Sequence, residues 1–78
     1  MDPKRRREER TLRALQAIVD GAGRRIITGQ LTRAQAEALA AETREAASHF
    51  VPDQMQTYDL IYGARFRRWI EQFCPEGF

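Results

Sequence analysis

Three residues, Gly29, Gln30 and Leu31, are all that separate one helical pattern from the next. A connection that short obliges the two flanking helices to run back alongside each other as an antiparallel hairpin. On the N-terminal side, Leu12, Leu15, Val19, Ala22 and Ile26 recur at alternating steps of three and four, while Arg13, Gln16, Asp20 and Arg24 lie opposite. That rhythm marks an amphipathic helix with one apolar stripe. Gly29 is placed to close it by adopting the left-handed conformation. On the C-terminal side, the Thr32 hydroxyl can cap the next helix while Gln35 reaches back in a Thr-x-x-Gln capping box.

Gly21 and Gly23 fall inside the first helical pattern, each costing roughly 1 kcal/mol relative to alanine. Either the helix bends there or another backbone approaches closely, and a continuous helix with a kink is the favoured expectation. The second helix is expected over about 33–50. It places Ala36, Leu39, Ala46, Ala47 and Phe50 on one face and Arg33, Glu37 and Arg44 on another. Seven alanines make it slim, which favours close approach of its neighbours over bulk. Pro52 disfavours helical geometry at Val51 and so ends the second helix near Phe50. Asp53 is then expected to cap a third helix, with Gln56 completing an Asp-x-x-Gln box. That helix should run to about Phe73, before Pro75 and Gly77.

The third helix carries most of the bulk. Met55, Tyr62, Phe66, Trp69 and Phe73 fit a heptad-like stripe, with Tyr58 and Ile70 at its edges. Aromatic side chains bury about 150–250 Å² each, so the first two helices gain several kcal/mol by covering this face. Leu60, Ile61 and Ala64 fall on the far side. A helix apolar on two sides usually has neighbours on two sides, which points to a second copy or another protein. Leu60, Ile61 and Ala64, rimmed by Arg65 and Arg68, are therefore the expected partner-binding residues.

Asp59 falls inside the stripe, where an apolar residue is expected, and a carboxylate there needs a partner. Tyr62, His49 or an arginine of a neighbouring helix would supply one. A polar seam residue of this kind can also set register or partner choice, and a catalytic carboxylate is the remaining alternative. Arg65, Arg67 and Arg68 interleave with Phe66 and Trp69, a composition seen where proteins grip single strands. Helical geometry sends the arginines to a different face from the aromatics, and Arg67 can pair with Glu71, so a solvated face is the expectation.

Charge is unevenly spread. Residues 2–13 hold six basic and three acidic side chains, whereas residues 14–78 hold seven and eight. The net charge of +2 thus comes from a basic arm, residues 1–11, which contains the run Lys4, Arg5, Arg6 and Arg7. Four cations oppose the macrodipole at a helix N-terminus even with Asp2 as cap and Pro3 behind it, so this arm is expected to fray. The run could touch phosphates without sequence specificity. Residues 12–78 form the single helical domain that 78 residues can support.

No apolar run approaches the ~20 residues a membrane crossing needs. His49 near the end of the second helix gains from the C-terminal dipole and has no partner that would make a catalytic pair. Cys74 is the only cysteine, so no disulfide closes within the chain and a reducing cytoplasm is the natural compartment. Gly21-x-Gly23 lacks the strand that precedes a phosphate-binding loop. No catalytic, cofactor or metal motif and no small-molecule substrate is inferred. The sequence thus reads as all-α, a helical hairpin plus a long third helix, dimeric, non-enzymatic and serving protein interaction or regulation; the alternative is a nucleic-acid-associated protein using its basic arm and the arginines of the third helix.

Overall fold

A computed structural model describes residues 3–74 of the chain, with side chains from Glu9 onward. Every regular element in that span is helical. The first, α1 (Pro3–Thr28), places Pro3 at its first position, where a missing N–H costs nothing. It runs unbroken through Gly21 and Gly23 and through the border expected between arm and body near Leu12. The capping role of Asp2 and the stop at Pro75 and Gly77 lie outside the described residues, as do the side chains of Lys4, Arg5, Arg6 and Arg7.

The connection after α1 departs from expectation in one detail. Gly29 has no left-handed backbone; Gln30 takes that conformation, with φ 55°. Glycine is required at 29 for space instead. Its N–H donates to the Arg25 carbonyl at 2.7 Å, and an added Cβ would collide with that carbonyl. The left-handed turn then falls to the next residue, at a cost of roughly 1–2 kcal/mol for a non-glycine.

The second helix, α2 (Arg33–Phe50), starts on the expected capping box. Gln35 N–H donates to Thr32 Oγ1 at 3.1 Å, and Thr32 N–H to Gln35 Oε1 at 3.0 Å. Its buried residues are small: Ala36, Thr43 and Ala47. Thr43 satisfies its hydroxyl on the Leu39 carbonyl of its own helix, at 2.7 Å, so it fits an apolar contact without a cross-helix partner. Phe50, expected on the inner face, is exposed. Ala17, Ile18, Ala22 and Arg25 of α1 share a groove with Leu39, Thr43 and Ala46 of α2, residues at similar distances from the turn.

The third helix begins earlier than expected, in a 3-10 turn over Pro52–Gln54 whose cap position is Val51, two residues before Asp53. Proline, with φ fixed and no N–H, suits the first position, which leaves Asp53 inside the turn with no capping hydrogen bond. An α-helical turn, Met55–Tyr58, leads into a π-helical turn, Asp59–Gly63, and then an α-helical stretch, Ala64–Phe73. The segment is helical throughout, yet one turn is wider by a residue.

That turn corrects the expected stripe. In an uninterrupted α-helix Asp59 would stand within about 20° of Phe66, and Tyr58 about 80° away. A π turn acts as a one-residue insertion, so Tyr58 takes the inward place and Asp59 moves to the edge. Tyr58 and Phe66 are each 3% exposed, and Ile70 and Cys74 continue the buried row at steps of four. Met55, Tyr62 and Trp69 flank it, half-buried, while Phe73 is 41% exposed. Leu15, Val19, Ala22 and Ile26 of α1 complete the core, whereas Leu12 at the head of their row is exposed.

Gly23 has a cause the spacing did not reveal. A Cβ there would sit 2.6 Å from Cζ3 of Trp69, so the glycine makes room for an indole instead of a backbone. The same indole meets Phe66 edge-on, with ring centroids 5.4 Å apart at 90°. Gly21, two residues away, faces open space.

Candidate functional site

The π turn presents different chemistry on its two sides. Outward, Leu60 is 76% exposed and Ile61 49% exposed. Ala64 is half-buried beside them, and Arg65 and Arg68 are exposed. The Arg65 guanidinium lies 5.5 Å from the centroid of the Tyr62 ring, a cation–π contact that holds the arginine over the aromatic. Arg65 and Arg68 also flank Trp69 and Gln72 in one shallow depression. The structure therefore brings the two arginines of the expected rim together around Trp69, and leaves Leu60 and Ile61 bare on the turn before them.

On the other side, Asp59 turns toward α2. Arg44 Nε donates to Asp59 Oδ1 at 2.8 Å and Nη2 to Oδ2 at 3.0 Å, a two-pronged bond from one helix to the first residue of the π turn. This is the arginine partner expected for Asp59, on a carboxylate that is half-exposed at the rim of the stripe. The hydrogen bond from Arg44 holds the Asp59 carboxyl below its ordinary value, and Asp59 raises the Arg44 guanidinium in return. His49 is exposed in the last turn of α2 and takes no part.

Arg44 and Asp59 stand over a groove between α2 and the third helix, of about 250 Å³. Ala40, Ala41, Gly63, Phe66 and Ile70 make its apolar lining, and Arg33, Glu37 and Arg67 complete the charged rim. Arg33 Nε pairs with Glu37 Oε1 at 3.2 Å. Three guanidiniums thus meet two carboxylates, and both carboxylates are already engaged. Arg67 pairs with no carboxylate among the described residues, Glu71 included.

Tyr58 also lines this groove. Its hydroxyl is sealed from solvent and has no hydrogen-bond partner. A buried donor left in that condition costs about 1–3 kcal/mol. Burial, with the Asp59 charge adding to it, pushes the phenol above its ordinary pKa of 10.0, so the group stays protonated. Sequence reasoning set Arg33, Glu37 and Arg44 on one face of the second helix but gave them no role, and it had no means of bringing Tyr58 and Arg67 opposite them. The geometry depends on the π turn, which no spacing rule announces.

Elsewhere, Cys74 is buried against α1, with its thiol 3.9 Å from the Ile26 carbonyl. Among the described residues no three of His, Cys, Asp and Glu are grouped to hold a metal ion, and no helix is long and apolar enough to cross a membrane. Comparison with protein-family models, with curated proteins and with solved structures returns no match.

Proposed function

We propose that this chain is a non-enzymatic interaction or regulatory module of the cytoplasm that works as a homodimer, with the outward face of the π turn as its contact surface. In each protomer an antiparallel hairpin, α1 and α2, supports the third helix, an arrangement favoured by the groove shared between residues equally far from the Gly29–Thr32 turn. The observation that carries the reading is the pair Leu60 and Ile61, exposed side by side on a turn whose other side is anchored to the core. Arg65 and Arg68, exposed on the turn that follows, would supply the polar rim that apolar contact surfaces carry. π turns are rare and recur at functional sites. A single buried thiol suits a reducing compartment.

Light scattering coupled to size-exclusion chromatography over a hundredfold concentration range tests the proposal. The expected result is a monomer–dimer equilibrium that Leu60→Asp shifts fully to monomer with the circular dichroism spectrum unchanged. A monomer at every concentration would end the homodimer reading.

One observation favours a second reading. Among residues Glu9–Ala14 none is buried, and the core begins only at Leu15. α1 thus extends beyond its cover in the direction of Lys4, Arg5, Arg6 and Arg7, as an arm for nucleic-acid phosphates would. Removing residues 1–10 should then abolish a steeply salt-dependent affinity for an oligonucleotide, whereas the interaction reading expects binding to its partner to survive.

A further inference from the structure

We propose that the groove between α2 and the third helix binds a small amphipathic carboxylate, its apolar body against Ala40, Ala41 and Phe66 and its head group served by Arg67 and Tyr58. Two groups in this region lack partners, the exposed Arg67 guanidinium at the rim of the groove and the Tyr58 hydroxyl, which is sealed beneath the lining and is reached only when the bound ligand parts the side chains over it. A carboxylate answers both, as an anion for the first and a hydrogen-bond acceptor for the second. Glu37 and Asp59 do not fill this role: their carboxylates pair with Arg33 and Arg44, and neither bonds Arg67 or the Tyr58 hydroxyl. The lining favours an aliphatic or aromatic body, since alanines, a glycine, Phe66 and Ile70 supply it.

Size argues for a small molecule over a protein segment. The groove measures about 250 Å³, just under the ~300–1,000 Å³ of typical ligand pockets. A stable protein interface needs about 800 Å² from each partner, far more than this recess offers. The groove lies on the opposite side of the π turn from Leu60, so ligand binding does not depend on the association proposed above.

Octanoate titrated into the 15N-labelled full chain tests the assignment, with octylamine and octanol as matched probes of the same apolar body. Octanoate is expected to give saturable amide shifts at Ala41, Gly63 and Phe66 with one site per chain, and neither control should saturate. Arg67→Gln, an exposed position, should weaken binding at least about tenfold with the unfolding midpoint unchanged. Tyr58→Phe should weaken it about threefold even as it stabilises the fold. Leu60→Asp should bind like the parent, so this proposal and the dimer proposal fail separately. Shifts centred on Leu60 and Ile61, equal binding of octylamine, full affinity in Arg67→Gln, or no saturable shift would each overturn it.

Discussion

Tyr58→Phe isolates one buried oxygen. The ring keeps its place, 3% exposed and 5.3 Å from the Tyr62 ring, so the ring's apolar contacts are kept and only the volume of one oxygen is lost. What disappears is a hydroxyl that is hydrated in the unfolded chain and without a partner in the folded one. Leaving such a group unpaired costs about 1–3 kcal/mol, so the variant should be more stable by about 1 kcal/mol or more. For a domain of this size that raises the thermal midpoint by about 4–8 °C.

The same variant carries a second readout. Because burial holds the folded phenol above 10.0, the unfolded chain ionises first as pH rises. The parent therefore keeps this contribution below pH 10 and loses it above. The Phe variant has no such loss, so the gap between the two should widen in alkali. Thermal and urea unfolding followed by circular dichroism, at neutral pH and near pH 11, measure both effects. A Phe variant less stable than the parent at neutral pH would refute the reasoning, since it would mean that the hydroxyl has a partner in solution.

Gly21 and Gly23, two residues apart on one helix, should answer alanine with opposite signs. Gly21→Ala gains helix propensity at an open position and should stabilise by about 0.8–1 kcal/mol, whereas Gly23→Ala drives a methyl into Trp69 and should lose about 1–3 kcal/mol before a smaller propensity gain; urea unfolding separates them. Gln30→Gly relieves a left-handed non-glycine and should raise stability by about 1 kcal/mol in the same assay. The Arg44 bond depresses the Asp59 carboxyl, so its stabilising contribution is present above the ordinary value of 3.8 and disappears as pH falls through the lower folded value. Asp59→Asn should flatten that acid limb of the stability profile, and high salt should shrink the parent's, because the pair is half-exposed.

What could be read in advance followed from local chemistry. The Thr32–Gln35 box, the α1 row from Leu15 to Ile26 and the small buried residues of α2 depend on neighbours three or four positions away, and the end of α2 at Phe50 on the proline two residues on. Spacing reports such neighbours well. The third helix is where that failed. Periodicity assumes a constant turn, and one wider turn moved Tyr58 inward and Asp59 to the rim; Phe73, beyond that turn, is exposed because the buried row runs on through Ile70 and Cys74 beside it. The same shift hid the groove, whose partners lie on different helices. Gly29 and Gly23 show a related limit: each glycine was noticed, but its reason is a clash with Arg25 or Trp69 that only packing discloses. The exposure of Leu60 and Ile61 was legible because the spacing sets them on the far side from Phe66, and the wide turn leaves them exposed.

The wide turn also separates two kinds of heredity in this chain. Loss of the single codon for Leu60 would leave Tyr58 and Phe66 seven residues apart, a spacing that an ordinary α-helix already points to one side. The interior could then be kept without the π turn, while the outward knob vanished. One in-frame deletion or insertion is thus enough to remove or restore the surface feature, and mutation can test that surface without first having to rebuild the fold beneath it.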